Sequence, residues 1–446
     1  MDGFTLLTIV VVFTAVAAWG SERLVRLPSA IGVMLAGLIV AIALQVINWL
    51  GWVNDAWAVQ LVNSLHFDRL LVAGHGSGSA GQGILLGVLL FAAAIQIEPK
   101  TVTSRVGFIA WMATIGVVLT ALGTGLGFMS LLSLAGYEVA FINILLWGVI
   151  LAPTDPVAVL SLLKRTSTPG RVKSVIIGES LFNDGVSIML FLFLLAFMTG
   201  DSVAPVGGAW YIGFLIETIG AIVLGLILGG IGAIMMRTVQ RPSLLVLLML
   251  AVVLVAGAVA PLLYTSCPLA CVVAGLVIGR VPELKNAPDS SLAVGFWGMV
   301  EQALTAMLFL LIGLELLTVS VDWSTFRWSL LVLPVVVLSR FIALVIPWSL
   351  ASLVSRTTVT FDEIVLMTWC GMRGGVSIAM AIAVPTTIMT LGDESTLRSH
   401  ALVGTIIVVI GSILIQGLTV NRLARWVQAR ADRRAVQPAD LNSPPV

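Results

Sequence analysis

The chain reads as a succession of long apolar runs joined by short polar connections, each run close to the ~20 residues that cross a bilayer as a helix. Thirteen such runs are predicted as helices, near residues 3–20, 28–48, 83–97, 106–133, 139–163, 174–199, 210–236, 242–264, 267–280, 293–319, 327–354, 363–390 and 399–421. The third and ninth are short. A shorter span is viable where neighbouring helices bury it, because its backbone polar groups are satisfied internally. The pattern predicts an all-α polytopic membrane protein. The first run follows Asp2 instead of a basic segment, so it is read as a retained helix and not as a cleaved signal.

The basic residues test this layout independently. With thirteen spans and the N-terminus outside, alternate connections place Lys and Arg on the cytoplasmic side at 23, 26, 100, 105, 164, 165, 171, 173, 237, 241, 280, 285 and 356. The tail adds Arg422, Arg425, Arg430, Arg433 and Arg434 to that side. Of the 23 basic residues, only Arg69, Arg327 and Arg398 fall outside, while Arg340 and Arg373 lie within spans. This is the positive-inside bias, and removing one helix from the middle would scramble it. It predicts a multi-pass protein of the cell's inner (plasma) membrane with an external N-terminus and a cytoplasmic C-terminus.

Composition agrees: 59% of residues are hydrophobic, 10% are charged and the mean hydropathy is +1.10. A soluble chain would carry about a quarter charged residues. A net charge of +1 offers no field for nucleic acid, and no soluble segment is large enough to hold a nucleotide. The domain expectation is a membrane unit over 1–425 and a short basic, Pro-containing cytoplasmic tail over 426–446, disordered after Arg425. The connection 49–82, with Gly74-His75-Gly76-Ser77-Gly78, reads as a flexible external loop; residues 54–72 suit a surface helix or plain loop equally. Cys267 and Cys271 stand four apart in an apolar run, but with no His or third Cys nearby they read as small buried hydrophobes, as does Cys370.

Polar residues inside the spans carry the chemistry, since charge at mid-bilayer costs on the order of 3 kcal/mol per residue and usually marks function. The fifth span contains Ala152-Pro153-Thr154-Asp155-Pro156, whose prolines remove donors and free carbonyls that need new partners. The sixth contains Gly178-Glu179-Ser180-Leu181-Phe182-Asn183-Asp184-Gly185. Ser180 and Asp184 share one face of that helix, while Glu179 and Asn183 share another about 100° round. The twelfth contains Gly371-Met372-Arg373-Gly374-Gly375, where three glycines should interrupt the helix around an obligate cation. Glu179, Asp155 and Asp184 are candidate partners for Arg373. Glu179 is preferred because that pairing leaves the Ser180/Asp184 face free. Glu301 and Arg340 read as intramembrane groups engaged in ion pairing or packing, Glu98 and Glu315 as solvated span ends. The fifth and twelfth spans run in opposite directions and both break near their middles, as in an inverted-repeat transporter.

These segments resemble the monovalent cation:proton antiporters of the sodium/proton exchanger superfamily, in their NhaP-type branch. The match lies in APTDPVAVLSLLKR (152–165), GESLFNDGVSI (178–188) and Gly371-Met372-Arg373-Gly374-Gly375, supported by Pro28-Ser29-Ala30-Ile31-Gly32 with Gly37 and by LLFLLIGLEL. The resemblance implies an inverted-repeat fold with interrupted helices crossing near mid-membrane. It also implies a homodimer, with a dimer-forming bundle and an ion-binding core that includes helices near 106–199 and 327–421. Asp184 would alternately bind cation and proton, with Ser180 and Thr154 as further oxygen ligands of a sodium, lithium or potassium ion. Asn183 would be its neutral partner, Glu179–Arg373 a structural ion pair, and Asp155 would sit at the helix break. One departure stands out: Leu89-Leu90-Phe91-Ala92-Ala93-Ala94 lacks the acid that many relatives carry after Leu-Phe, and Glu98 is a partial substitute.

The implied activity needs no cofactor and no ATP. A carboxylate partly withdrawn from water competes for a proton or a small hard cation, and if only loaded forms cross the membrane the two ions exchange. With a single carboxylate changing occupancy, the exchange is one proton for one cation and electroneutral. Sodium or lithium is the expected ion, with potassium the competing choice. Two readings from other classes are weaker. A cation channel would lack saturable proton coupling. An intramembrane aspartyl protease using Asp155 and Asp184 would leave the buried Arg unexplained and lacks a Gly-x-Gly-Asp segment.

Overall fold

In the computed structural model the described residues are 3–21, 23, 32–33, 35–37, 39–40, 43, 47, 84–96, 106–134, 136, 138–155, 170–199, 210–239, 241–281, 290–315, 323–354, 359–384 and 396–436. Among them there is no strand. The helices are α1 (Gly3–Gly20), α2 (Ile84–Ile95), α3 (Val106–Leu134), α4 (Phe141–Ile150), α5 (Gly170–Thr199), α6 (Trp210–Arg237) and α7 (Pro242–Val259). They continue as α8 (Cys267–Ile278), α9 (Ser290–Glu315), α10 (Trp323–Val354), α11 (Phe361–Trp369), α12 (Gly375–Ile382), α13 (Thr396–Gly411) and α14 (Gly417–Val436). Every predicted span but 28–48 overlaps one of these helices, or two in the case of 363–390 and 399–421, and the described positions of 28–48 are themselves helical; residues 156–163 and 385–390 of the predicted spans lie outside the described residues. Among the described residues, 6 helical stretches are long and apolar enough to cross a membrane alone, whereas α2, α4 and α8 are apolar but short. The connection 49–82, with His66 and His75, lies outside the described residues, as do Glu98 and residues 437–446.

Local chemistry accounts for the helix ends. Pro242 opens α7 in its first turn, where the missing N–H is not needed. At α11 the Thr360 hydroxyl accepts from the Glu363 backbone N–H at 3.3 Å, and the Thr360 N–H donates to Glu363 Oε2 at 2.7 Å. This is a reciprocal capping box. The two predicted interruptions are present. After α4 the chain leaves helical geometry over Ala152–Asp155, as Pro153 disfavours a helical residue before it. Between α11 and α12 it is non-helical over Gly371–Gly374. The breaks cross: the Asp155 N–H donates to Met372 O at 2.8 Å.

Two hydrophobic clusters organise the packing. One joins α3, α4, α5, α10, α12 and α13 to one side of α2. The other joins the opposite side of α2 to α6, α7, α8 and α9. In the first, α3 and α4 meet backbone to backbone. A Cβ on Gly148 would stand 1.9 Å from Ala121 O, and Trp147 stacks on Phe128 with centroids 4.5 Å apart. In the second, Gly225 and Gly229 of α6 abut α8, where added Cβ atoms would fall 2.5 Å from Ala270 O and 2.8 Å from Ala274 Cα. That small-residue stripe is used within the chain. Cys267 and Cys271 are buried on α8 against Gly87 of α2.

The tail differs from expectation. Residues 426–436 continue α14 instead of being disordered. Their sequence contains no Gly or Pro before Pro438, and Arg430 anchors the helix through Asp362 Oδ1 at 3.0 Å and through the face of Trp426.

Candidate functional site

The site is built where the two breaks cross, against the middle of α5. Ending α4 at Ile150 leaves backbone carbonyls without intrahelical partners, and two side chains meet them. Arg373 Nη1 donates to Pro153 O at 2.9 Å and also to Ala152 O. Asn183 Nδ2 donates to Ala152 O at 3.3 Å. Arg373 thus sits as a cation at the carbonyl end of α4, the end that favours positive charge. Its own backbone is held by Ser412 Oγ, which accepts from the Arg373 N–H at 3.1 Å at the start of a π-helical turn, Ser412–Gln416. Such turns recur beside functional sites.

Glu179 takes a different partner from the one the sequence favoured. Arg340 of α10 grips it in a two-pronged pair, Nη2 to Oε2 at 2.8 Å and Nη1 to Oε1 at 3.2 Å, with both side chains buried. The expected Glu179–Arg373 pair is therefore corrected: Arg340 neutralises Glu179, and Arg373 serves the broken backbone. The reason is steric as well as electrostatic. A Cβ at Gly371 would lie 2.1 Å from Arg340 Nε, so only glycine leaves room for that guanidinium. A Cβ at Gly374 would lie 2.6 Å from Asp155 Cβ. The glycines flanking Arg373 are clearances for two neighbours, beyond any loosening of the helix.

On the other face of α5 a cavity of about 30 Å³ is lined by Thr154, Asp155, Asp184, Glu301 and Thr305, with Leu89, Leu90 and Ala93 of α2 closing it. This holds a water or a bare cation, given that one water needs roughly 10–15 Å³. Asp184 is buried, and its Oδ1 has no hydrogen-bond partner among the described residues. Thr154 donates its hydroxyl to Ser180 Oγ at 3.0 Å and accepts from Asn183 Nδ2 at 3.4 Å. A hydroxyl oxygen has two lone pairs, so one is left for the cavity. No three His, Cys, Asp or Glu side chains among the described residues converge closely enough to hold a metal ion by themselves.

The sequence profile described as "Sodium/hydrogen exchanger, transmembrane" matches residues 9–426. The chain belongs to the sodium/hydrogen exchanger family. The exchanger is 34% identical over 429 residues to the Na(+)/H(+) antiporter NhaP of Pseudomonas aeruginosa, spanning 94% of this chain and 96% of that protein. It is 27% identical over 350 residues to the Na(+)/H(+) antiporter NhaH of Halobacillus dabanensis, 77% of this chain and 81% of that one. In three dimensions it superposes on the sodium proton antiporter MjNhaP1 of Methanocaldococcus jannaschii with a TM-score of 0.75. The two share 20% identity over 95% of this chain and 98% of the archaeal one. That likeness carries the fold, an all-helical antiporter architecture with crossed interrupted helices.

In this exchanger Thr154, Asp155 and Asp184 reach the cavity wall, while Ser180 and Asn183 stand behind it. Ser180 is fully buried and touches the cavity only through Thr154. Asn183 is a brace: besides its bonds to Thr154 and Ala152 it donates to Glu179 Oε1 at 3.3 Å and accepts from the Ser187 hydroxyl at 3.1 Å. Two groups gain roles that the motifs did not assign. Arg340 is the partner of Glu179, and Glu301 is a wall of the cavity. Each is an isolated charge inside an apolar span, which marked it, but nothing local identified its neighbours.

Proposed function

We propose that this exchanger is a secondary active antiporter that trades a monovalent cation, sodium or lithium, for a proton at Asp184. The observation that carries the reading is Asp184 itself, a buried carboxylate on the wall of a cavity of about 30 Å³, one of whose oxygens has no hydrogen-bond partner among the described residues. A buried carboxylate oxygen left unsatisfied costs free energy. A proton or a cation supplies the missing partner, and one excludes the other. Thr154 offers its free lone pair to the cation and Asp155 lines the same wall, while Ser180 and Asn183 hold Thr154 in register. Glu179 stays paired with Arg340 and Arg373 stays bonded to the Ala152 and Pro153 carbonyls, so one carboxylate changes occupancy and exchange is one for one and electroneutral.

The reading extends to the assembly. The ion-binding core is the unit built from α3–α5 and α10–α14, and the dimer-forming bundle is the unit around α6–α9, whose α6 and α7 keep apolar residues such as Ile234 and Leu247 exposed. The protein is a homodimer of the inner membrane, and the positive-inside bias supports an external N-terminus and a cytoplasmic tail. Proteoliposomes with an internal pH dye test the function. Sodium or lithium pulses should move protons in the wild type and not in Asp184→Asn, with no dependence on membrane voltage. Flux with potassium alone would replace the ion, voltage-dependent flux would overturn the stoichiometry, and flux surviving in Asp184→Asn would overturn the site.

A further inference from the structure

Resting on that reading, the geometry points to Thr305 of α9 as a ligand of the transported cation, a neutral oxygen supplied from a wall that neither α5 nor the helix breaks form. Thr305 and Glu301, one helical turn apart, are the residues that α9 places on the cavity. Three contacts fix the rotation of α9 that puts them there. Trp297, about two turns before Thr305, packs edge-on against Phe91 of α2 with centroids 4.9 Å apart. Leu304 packs into the first hydrophobic cluster. Ala306 and Leu310 seat a further side of the helix on Val33 and against Phe13 and Ala17 of α1. Thr305 is itself buried, so its polar group meets the cavity instead of lipid.

The remaining walls leave a cation short of oxygen. Among the described residues no three carboxylates close on one point, and α2 contributes Leu89, Leu90 and Ala93. A small hard cation that has shed its water takes several oxygens around it, more than Asp184 and Thr154 offer. Thr305 adds one. A hydroxyl oxygen carries two lone pairs besides its proton, so the oxygen can ligate a cation whichever acceptor that proton engages. The carboxylate of Glu301, by contrast, is already bonded by the Gln96 amide. A cavity of about 30 Å³ is small enough that a cation held by Asp184 also reaches the α9 wall. Because its oxygen is neutral, Thr305 strengthens cation binding, whereas the competing proton needs only Asp184.

The test is sodium-driven proton flux in proteoliposomes across a range of sodium concentrations for wild type, Thr305→Val, Thr305→Ser, Thr305→Ala and Asp184→Asn. Thr305→Val keeps the shape of the side chain and removes its oxygen. It should raise the apparent KM for sodium by roughly 10-fold or more, the range for losing one contact to a charged group, with a smaller change in the saturating rate. Thr305→Ser keeps the oxygen and should hold KM within about threefold of wild type. A role confined to packing predicts the reverse order, since Val fills the space that Ser leaves open. An unchanged KM in Thr305→Val, or a KM raised more by Ser than by Val, overturns the inference. If Thr305→Val does not fold, an unchanged KM in Thr305→Ala does so. Loss of flux in Asp184→Asn beside an unchanged KM in the Thr305 variants defeats this inference only, whereas flux in Asp184→Asn defeats the functional reading beneath it.

Discussion

Removing Arg340 is the sharpest perturbation of the crossing. Its side chain and that of Glu179 are 4% and 3% exposed, so Arg340→Met strands a carboxylate away from water. Breaking a buried pair by deleting one partner costs about 3–5 kcal/mol. With an unfolding entropy of about 2.1 cal/mol/K per residue over 446 residues, each kcal/mol moves Tm by about 1 °C. Arg340→Met should therefore lower Tm by about 3–5 °C, read by the fluorescence of the 13 tryptophans in detergent. Adding Glu179→Gln removes the stranded charge and should return at least about half of the loss. The same second change in an Arg373→Met background should return much less, because Arg373 bonds the carbonyls of Ala152 and Pro153. A larger recovery with Arg373→Met than with Arg340→Met would refute the pairing and restore the Glu179–Arg373 alternative.

Three further outcomes are expected. Gly374→Ala should cut proteoliposome flux at least about tenfold while leaving expression near wild type, because the three atoms nearest its added Cβ, at 2.6–2.8 Å, all belong to the side chain of Asp155. Gly148→Ala should fail to yield folded protein by size-exclusion profile, since its Cβ meets the Ala121 carbonyl at 1.9 Å and neither backbone can yield. Arg430→Ala should lower Tm by about 1–3 °C, because its loss takes a charge partner from Asp362, which is 7% exposed, while the half exposure of Arg430 keeps the cost below that of a fully buried pair.

The span count and both helix breaks were legible in the sequence because each is local: an apolar run of membrane length, a Pro-x-x-Pro, a Gly-flanked Arg. The polar face of α5 was legible for the same reason, as Glu179, Ser180, Asn183 and Asp184 lie within six residues and their spacing sets their directions. The partner of Glu179 was not. Arg340 is 161 residues away, and choosing between it and Arg373 depends on how α10 packs against the second break. Gly371 holds the missing information, yet a glycine beside an Arg reads as a helix breaker until its neighbour is seen. Glu301 escaped for a related reason, since an isolated acid on α9 gains meaning only when Trp297 turns it toward the cavity. At the tail, charge density outweighed helix propensity in the reading, and the anchoring of Arg430 on Asp362 and Trp426 reversed that balance.

The most direct measurement of the central claim is proton release on cation binding. Purified exchanger in weakly buffered detergent solution, carrying a pH dye, is titrated with sodium at constant ionic strength. Competition at one carboxylate predicts a proton released for each sodium bound, with release abolished in Asp184→Asn. Sodium binding without proton release, or release that persists in Asp184→Asn, would contradict the account.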